Sequence, residues 1–487
     1  MALTTPLSEV KDLKDKRVLV VGMARSGVAM VNFLLEAGAQ VTVSDHKSRA
    51  ELAPALEQIE GLPNLQFDLG GHTPKTFLAQ DLIVLSPGVP PNLKIFDYAR
   101  GNGVQVTGEF EFATWFIKEP VIAVTGTNGK STTCKLIELF LKESGVPVWL
   151  GGNFGEPLVE YLRKVQRIAN PVAPVEGEDP VPVEIQPKVV VAEVSSFQLE
   201  HSERFNPQNI VFTNLAENHQ DRYRSMEDYV NAKRRIFANT NQATTSILNA
   251  DDNAVVELAR DPAVQRGRIF YFSRKPQLEP QIMTIGGAVC IGNEIRVRTG
   301  PDIETYTVKQ MKMRGKHSID NIMAATLASR EHGATHDAIQ KVVDTYPGMP
   351  HRLEYVRRVG GVEFFNDSKA TNVHAVLRAL DAFEENIIMI MGGKDTNLSY
   401  EALRDIVKRK VKTLILVGEA KERINRDIGD FSETFLIGTF EEAVLIAYQK
   451  SRIGDIVLLS PGASSYDMFD SFEERGNYFK DIVRRFR

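Results

Sequence analysis

The chain has 487 residues, a hydrophobic fraction of 43% and a charged fraction of 25%, a composition typical of a globular protein with about three domains. Its net charge of −5 does not favour nucleic-acid binding, which usually requires a basic surface, and Cys134 and Cys290 fit no metal-binding or redox spacing. The N-terminal segment lacks the apolar core of a signal peptide, and no later apolar run reaches about 18 residues. We therefore expect a cytoplasmic protein without a membrane partner.

The first block of the chain has the alternation of strands and helices that is typical of a Rossmann-like domain. The apolar stretch RVLVVG (17–22) leads into GMARSG and a helical pattern, and a second strand, QVTVSD, ends at Asp45. Ala24 stands where a dinucleotide fingerprint has its second glycine, and its methyl group would crowd the pyrophosphate of NAD. The pattern predicts either a nucleotide other than NAD near Asp45 or a domain that binds nothing at this spot. A further strand, DLIVLSPGVP, ends in a turn at the same sheet edge.

The most informative motif is VIAVTGTNGKSTTCK (121–135), in which an apolar strand enters a glycine-rich turn and Lys130 and Ser131 open a helix. Gly126 and Gly129 let backbone N–H groups approach phosphate, and the helix N-terminus adds partial positive charge. The lysine can reach the β- and γ-phosphates, and the serine hydroxyl can bind Mg²⁺. A valine replaces the first glycine of the general P-loop pattern. The order of the parts nevertheless predicts a nucleotide-triphosphate site rather than a tight turn with an exposed lysine.

Two side chains after this loop are candidate metal ligands. Glu193 ends the strand KVVVAE, at the edge where α/β sheets bind ligands, although a surface glutamate at a strand exit is the alternative. His219 lies in ENHQDRY, after another strand. A lone histidine is more often a core or capping residue, and only its combination with the P-loop and Glu193 favours a metal site.

Lys233 lies on an apolar helical stripe. It shares this stripe with Tyr229, Ile236 and Phe237 in the pattern SMEDYVNAKRRIFAN, a helix capped by Ser225. Burial disfavours the charged form of an amine. An uncharged amine can react with CO₂ to give a carbamate, an anionic oxygen ligand suited to Mg²⁺. The spacing alone favours the alternative, an aliphatic stem that carries its amine to water.

The remaining segments predict further structure. VWLGGNFGEP (148–157) is a turn-rich segment that carries Asn153, and residues 164–187 are expected to form a surface insertion or hairpin without chemistry. The third block, after the turn PGMPHRLE, contains strands FFNDSKAT, NIIMIMGG, TLILVG and DIVLLSPG with helices between them, which predicts a parallel or mixed α/β sheet. The loop NDSKATN (366–372) favours equally a nucleotide or acidic-substrate site and an Asx turn with a solvated lysine. The hydroxyl-rich run SPGASSYDMFDSFEERG suits carboxylate binding.

Together these motifs resemble the Mur ligases. The matching stretches, in the family's order, are VTGTNGKST, AEVSSFQLE, ENHQDRY, NAKRRI, RGKHSIDN, PHRLE, NDSKATN and SPGASSYDMFDSFEERG. The resemblance implies three α/β domains: an N-terminal Rossmann-like domain for UDP (1–118), a central ATP-binding domain with a P-loop sheet (119–346) and a C-terminal Rossmann-like domain for the amino acid (347–487). The SSFQLE and C-terminal runs are similar to those of the family member that adds D-glutamate.

The activity that this resemblance implies is ATP-dependent addition of D-glutamate to UDP-N-acetylmuramoyl-L-alanine in peptidoglycan precursor synthesis, by a monomer. The L-alanyl carboxylate would attack the γ-phosphate of ATP, and the amine of D-glutamate would attack the resulting acyl phosphate. Because the nucleotide and amino-acid groups come from different blocks, we expect domain closure to precede chemistry. The alternatives are a P-loop regulatory ATPase and a ligase of the same superfamily for another amino acid.

The resemblance also implies a role for each matching residue, with Lys130, His219, Lys233 and Arg352 as the catalytic groups. The nucleotide-binding residues would be Gly126, Thr127, Asn128, Gly129, Lys130, Ser131, Thr132 and Arg352 at the phosphates, Asn321 at adenine, and Asp367 and Lys369 at the ribose. One Mg²⁺ would be held by Ser131 and Glu193, and a second by His219 and carbamylated Lys233. The UDP-muramoyl substrate would contact Ser26, Asp45, His46, Ser86, Gly88 and Asn153. D-glutamate would contact Thr371, Lys394, Ser465 and Phe472.

Overall fold

The computed structural model describes residues 9–90, 92–169, 185–216 and 222–486. In this part of the chain the strands form three sheets, of five, nine and six strands. The chain divides into two compact units, Met1–Tyr306 with Met323–Ile339 and Thr307–Ile322 with Gln340–Arg487. The first unit contains the five-stranded sheet and all but the last residue of the nine-stranded sheet. None of the helices in the described ranges is long and apolar enough to cross a membrane.

The five-stranded sheet is parallel, with the strand order β3-β2-β1-β4-β5. Its strands are β1 (Arg17–Val21), β2 (Gln40–Asp45), β3 (Leu65–Leu69), β4 (Leu82–Leu85) and β5 (Gln105–Gly108). The accompanying helices are α1 (Arg25–Glu36), α2 (Ala53–Leu56), α3 (Pro74–Leu78), α4 (Lys94–Gly101) and α5 (Glu109–Thr114). The central strands β1 and β4 are apolar on both faces because helices cover both sides of the sheet. This arrangement confirms the predicted Rossmann-like block.

The nine-stranded sheet has the order β14-β13-β12-β11-β10-β9-β6-β8-β7. Its strands are β6 (Val121–Thr125), β7 (Val148–Gly152), β8 (Val189–Glu193), β9 (Asn209–Phe212), β10 (Thr245–Asn249), β11 (Arg268–Ser273), β12 (Gly287–Ile291), β13 (Glu294–Arg298) and β14 (Glu304–Thr307). The helices are α6 (Lys130–Glu143), α7 (Leu158–Ala169), α8 (Ser196–Leu199), α9 (Met226–Arg234), α10 (Asn253–Leu258), α11 (Glu279–Ile285), α12 (Lys316–Arg330) and α13 (His336–Thr345). The pairs from β7 to β12 are parallel, and β12 and β13 pair in the antiparallel direction.

Two predictions in this region are wrong in part. The segment that we expected to be turn-rich begins with the edge strand β7, which pairs with the buried strand β8. The predicted surface insertion starts too early, because residues 164–169 belong to the amphipathic helix α7. Residues 170–184 of that segment lie outside the described residues, and residues 185–187 have no regular secondary structure. By contrast, α9 begins after Ser225, whose hydroxyl accepts a hydrogen bond from the Asp228 N–H, as the capping pattern predicted.

The six-stranded sheet has the order β15-β16-β20-β17-β18-β19 and is mixed, because only β15 and β16 pair in the antiparallel direction. Its strands are β15 (Glu354–Val359), β16 (Val362–Asn366), β17 (Ile387–Gly392), β18 (Val411–Val417), β19 (Glu433–Leu436) and β20 (Ile456–Leu459). The helices are α14 (Val373–Asp381), α15 (Arg404–Lys410), α16 (Lys421–Ile428), α17 (Phe440–Lys450) and α18 (Phe472–Arg485). The four predicted strands are β16, β17, β18 and β20, which confirms the mixed α/β sheet. The more exposed edge strands β15 and β19 were not predicted.

Candidate active site

Three neighbouring strands of the nine-stranded sheet end at one edge and place the P-loop there. β6 lies between β8 and β9, and all three are parallel, so their carboxyl ends meet. The turn after β6 reaches α6 through Gly129, whose left-handed conformation has φ 85°. The Lys130 ammonium group donates hydrogen bonds to the carbonyl oxygens of Gly126 (3.1 Å) and Thr127 (2.8 Å). This strand, turn and helix confirm the predicted local structure.

The chain directly after β9 braces the P-loop through Thr213 and Asn214, which the sequence analysis did not single out. The Asn128 N–H donates to Asn214 Oδ1 at 2.9 Å, and Asn214 Nδ2 donates back to the Asn128 carbonyl at 2.8 Å. Thr213 Oγ1 donates to the same carbonyl at 2.6 Å. The Thr127 hydroxyl lies 3.2 Å from the Tyr229 hydroxyl. These bonds hold the loop in shape, which reduces the reorganisation required when phosphate binds.

Replacing Gly126 with alanine is expected to abolish ATP binding. Gly126 has φ 130°, and a Cβ there would lie 2.1 Å from Thr213 Oγ1, so the loop and its brace cannot both keep their positions. Gly145→Ala is the matched control, because Gly145 also has a positive φ of 74° but has no atom within 4 Å of an added Cβ. Calorimetric titration with ATP, together with thermal unfolding of both variants, measures the difference. Equal ATP affinity in the two variants would contradict this account of the loop.

Glu193 is buried at the end of β8 and is 2% exposed, so the alternative of a surface glutamate is wrong. Its Oε1 accepts a hydrogen bond from Asn153 Nδ2 at 2.7 Å. Its Oε2 is buried and has no hydrogen-bond partner among the described residues. A buried carboxylate with an unused oxygen beside a P-loop fits a hard cation such as Mg²⁺, which prefers oxygen ligands. Ser131, in the first turn of α6, is also buried and supplies a hydroxyl oxygen.

Lys233 is 1% exposed, and the other members of its stripe, Tyr229, Ile236 and Phe237, are also buried. The alternative in which its amine reaches water is therefore wrong. Its Nζ lies 3.4 Å from Thr125 Oγ1 and 4.9 Å from the centre of the Tyr229 ring. Burial, and then the positive charge of Lys130, lower the pKa of Lys233 well below its ordinary value, while Glu193 opposes this shift. The structure thus presents an amine for which the neutral form is favoured beside the P-loop.

The predicted ligand His219 lies outside the described residues, within the segment 217–221. In the described ranges, no group of three or more His, Cys, Asp or Glu side chains is placed to hold a metal ion. The metal candidates that the structure does describe in this unit are therefore Ser131, Glu193 and Lys233.

A cavity of about 800 Å³ in the first unit brings together all the residues that were predicted to bind the UDP-muramoyl substrate. These lining residues are Ser26, Asp45, His46, Ser86, Gly88 and Asn153. Asp45 is buried and accepts hydrogen bonds from the backbone N–H groups of Met23 (2.9 Å) and Lys47 (3.0 Å), so its carboxylate also shapes the turn before α1. The Ser86 hydroxyl donates to the Gly22 carbonyl at 2.8 Å. Glu109 and Gln198 also line the cavity and were missed by the sequence analysis.

The second unit holds the loop NDSKATN beside the start of α18. Asp367 is buried and accepts hydrogen bonds from the Leu353 N–H (3.1 Å) and the Ser460 hydroxyl (2.9 Å), and burial raises the pKa of Asp367 to about 7. The Lys369 ammonium lies 3.6 Å from the centre of the Phe472 ring, a cation–π contact. Asn372 caps α14 by accepting from the Ala375 N–H. The loop therefore contains the N-cap of α14, and it also places Lys369 beside Phe472, which was predicted to bind D-glutamate.

Arg475 is the main structural residue of this region to which the sequence analysis assigned no role. It is fully buried and donates hydrogen bonds to the hydroxyl and carbonyl oxygens of Ser368 (3.0 and 2.9 Å) and to the Ala463 carbonyl (3.1 Å). Burial lowers the pKa of Arg475 to about 10. It joins the loop NDSKATN to the loop after β20. Arg475 lies within the run SPGASSYDMFDSFEERG, but the run does not show that the arginine side chain is buried or which groups it contacts.

The other predicted residues of the second unit occupy varied environments. Ser465 and Asn321 are buried, Arg352 and Thr371 are partly buried, and Thr371 donates its backbone N–H to the Lys369 carbonyl. Lys394 is partly exposed and forms an ion pair with Glu419 at 2.9 Å. This ion pair leaves Lys394 on the surface, where an acidic ligand would compete with Glu419.

Comparisons with known proteins connect this geometry to a family. Models for the MurD-like N-terminal domain of Mur ligases, for the Mur ligase middle domain and for the glutamate ligase domain of Mur ligases match residues 16–108, 124–329 and 351–462. A protein of Bdellovibrio bacteriovorus named UDP-N-acetylmuramoylalanine–D-glutamate ligase is 72% identical over 98% of this chain and 99% of its own length. This chain belongs to the Mur ligase family. A relative of the same name from Geotalea daltonii is 41% identical over 97% of this Mur ligase and 98% of its own length.

Solved structures support the fold of this Mur ligase. A pseudomurein peptide ligase type C from Methanothermus fervidus has a TM-score of 0.58 and 19% identity over 97% of this chain and 100% of its own. MurF from Acinetobacter baumannii gives a TM-score of 0.58 with 14% identity over 98% of this chain and 93% of its own. The predicted three-domain α/β architecture is confirmed, while the boundaries at 118/119 and 346/347 stay predictions. Membership of the family also confirms the predicted enzyme class, an ATP-dependent ligase that forms an amide bond and uses Mg²⁺. The alternative of a regulatory ATPase is therefore wrong.

Proposed function

We propose that this Mur ligase joins D-glutamate to UDP-N-acetylmuramoyl-L-alanine in the synthesis of peptidoglycan precursors. The observation that carries the proposal is the position of Asn153. This residue lines the 800 Å³ cavity and also donates a hydrogen bond to Glu193, which ends a strand adjacent to the P-loop strand. A UDP-muramoyl substrate in the cavity would thus extend past Asn153, so that its L-alanyl end reaches the P-loop. The shared name of the full-length relatives supports the choice of substrate.

The chemistry begins with phosphoryl transfer to the substrate acid. An oxygen of the L-alanyl carboxylate forms a bond to the γ-phosphorus of ATP, the bond from that phosphorus to the bridging oxygen breaks, and ADP leaves. Lys130 would exchange the loop carbonyls of Gly126 and Thr127 for phosphate oxygens, and the N-terminus of α6 would add its partial positive charge. Bound Mg²⁺, held by Ser131 and Glu193, would supply further positive charge to the phosphates.

The second step forms the peptide bond. The amine of D-glutamate attacks the acyl carbon of the acyl phosphate, the bond from that carbon to the phosphate oxygen breaks, and the nitrogen loses a proton. The chain's own contribution is to hold the amine donor and the nucleotide. We assign D-glutamate to Thr371, Lys394, Ser465 and Phe472, and the nucleotide to Asn321, Arg352, Asp367 and Lys369. We also propose that the protein is a cytoplasmic monomer.

Lys233 has a further role in this proposal. Its nitrogen would attack CO₂ and lose a proton, and the resulting carbamate would hold a second Mg²⁺ together with His219. Its burial on the stripe and its position beside Thr125 at the end of β6 support this assignment, because an anionic group there would face the P-loop. A charged ammonium in the same place would be poorly solvated.

A coupled assay of ADP release tests the proposed function. The full-length protein is supplied with ATP and Mg²⁺, with UDP-N-acetylmuramoyl-L-alanine, and with D-glutamate, L-glutamate, L-lysine or glycine in turn. We expect ADP release in step with amide formation only when D-glutamate and the UDP-muramoyl substrate are both present. Faster turnover with another amino acid would assign the protein to a different ligase of the superfamily. Steady ADP release without any amino acid would contradict the proposal.

A further inference from the structure

Glu109 is a buried carboxyl group that the chemistry above does not use. It opens α5, directly after the end of β5, and is 2% exposed. Its Oε1 has no hydrogen-bond partner among the described residues, and the side chain lines the 800 Å³ cavity. A buried polar atom without a partner destabilises the protein, so such an atom beside a cavity points to a ligand group that completes it.

A second glutamate on the same helix shows what a purely structural carboxyl group looks like here. Glu111 is also buried, but its oxygens accept hydrogen bonds from the Trp115 indole (3.0 Å), the Arg204 N–H (2.9 Å) and the Phe205 N–H (3.2 Å). By contrast, among the described residues the Glu109 carboxyl interacts with the backbone N–H of Val159, in the first turn of α7, and its Oε1 has no hydrogen-bond partner. The carboxyl group of Glu111 is therefore satisfied by hydrogen bonds within the protein, whereas that of Glu109 has an oxygen without a hydrogen-bond partner among the described residues.

The position of Glu109 indicates which part of a substrate it faces. In the sheet order β3-β2-β1-β4-β5, Asp45 ends β2 and Glu109 follows β5, three strand spacings away. Because neighbouring strands lie about 4.8 Å apart, these two carboxyl groups are separated by roughly 14 Å across the cavity edge. Glu109 lies beside Val159 at the start of α7. Pro157 and Asn153, which precede this helix in the sequence, line the same cavity. If the uridine nucleotide binds at Asp45, the part of the cavity beside Glu109 is available to the muramoyl-L-alanine portion of the substrate.

We propose that the Glu109 carboxyl group hydrogen-bonds to a polar group, an amide or a sugar hydroxyl, in the N-acetylmuramoyl-L-alanine portion of the substrate. This inference rests on the proposed function. The amides and the sugar hydroxyls of that portion each offer both a donor and an acceptor, so either kind of group pairs with the carboxyl group in both of its protonation states. Burial raises the pKa of Glu109 to about 7, which makes both states accessible near neutral pH. Glu109 thereby selects for the muramoyl peptide over a bare uridine nucleotide.

Two substitutions of Glu109 separate this role from a structural one. Glu109→Gln keeps a donor and an acceptor, and Glu109→Leu keeps the buried volume but removes both. We expect the Leu variant to bind UDP-N-acetylmuramoyl-L-alanine about 10-fold more weakly, with UDP affinity within about twofold of the wild type, because only the first ligand reaches Glu109. The Gln variant is expected to stay within about threefold for both ligands. Removing an unsatisfied buried carboxyl should leave the Leu variant at least as thermally stable as the wild type.

Calorimetric titration with UDP and with UDP-N-acetylmuramoyl-L-alanine, without ATP, measures these affinities, and thermal unfolding checks each variant. Glu111→Gln is the matched control, and it should lower the unfolding temperature without selective loss of the larger ligand. Equal loss of both ligands in Glu109→Leu, or no loss of either, would overturn the inference and leave the proposed function intact. Failure of the wild-type protein to bind the larger ligand at all would overturn both.

Discussion

Lys130→Ala is expected to lower the rate of ADP formation by at least about 10²- to 10³-fold, the range found when one preorganised donor to developing charge is removed. The reason is positional: Lys130 is the first residue of α6, and its ammonium already lies over the loop, bonded to two of the loop's own carbonyl groups. Single-turnover measurement of ADP with saturating substrates gives the rate of the chemical step.

A control for Lys130→Ala lies on the same helix. Lys135 is partly exposed and forms an ion pair with Glu138 at 2.7 Å, so Lys135→Ala removes a lysine of the same helix without touching the loop. Glu138 keeps a second ion pair with Lys142 at 2.6 Å in this variant, and we expect near-normal turnover. Thermal unfolding of both variants shows whether the loop of Lys130→Ala is still folded. Near-normal ADP formation in a folded Lys130→Ala protein would contradict the role assigned to this lysine.

The parts of the fold that were predicted correctly are those with continuous apolar strands. β1, β6, β8 and β17 are buried on both faces, and a run of apolar residues between turn signals identifies such strands without any knowledge of their partners. β7, β15 and β19 are only partly buried, and their mixed composition is also that of a loop. An edge strand is defined by its neighbour in the sheet, and this information is not local in the sequence.

The same division applies to the site. The P-loop and the stripe around Lys233 were recognised because each lies within one short segment with a fixed period or order. Asn214 braces Asn128 across 86 positions of sequence, and Arg475 reaches Ser368 across 107. The Glu109 Oε1 atom is notable because no described residue donates a hydrogen bond to it. The roles of these residues depend on contacts, or on missing contacts, between segments that are far apart in the sequence. A local sequence pattern therefore does not predict them.

Lys233→Ala is expected to lower turnover by at least about 100-fold, because it would remove an anionic ligand that holds a metal beside the transferring phosphate. Short-chain carboxylic acids should restore part of the activity, since they can place a carboxylate in the space that the lysine side chain leaves. The activity of the variant is measured against acid concentration and acid length. Arg234→Ala is the control, because the neighbouring Arg234 side chain is about half exposed and pairs with Asp261 instead of facing the loop.

The rescue distinguishes a carbamate from a plain lysine that acts by its positive charge. If the ammonium of Lys233 were the active form, added carboxylates would bring the wrong charge and would not restore the Ala variant. Lys130→Ala serves as the internal comparison here, because its missing group is a cation and acids should not rescue it. Mass spectrometry of the intact wild-type protein under gentle conditions should show the added carboxylate, and removal of CO₂ from the buffer should reduce turnover reversibly. Full activity in CO₂-free buffer, without added mass on Lys233, would show that its burial serves packing alone.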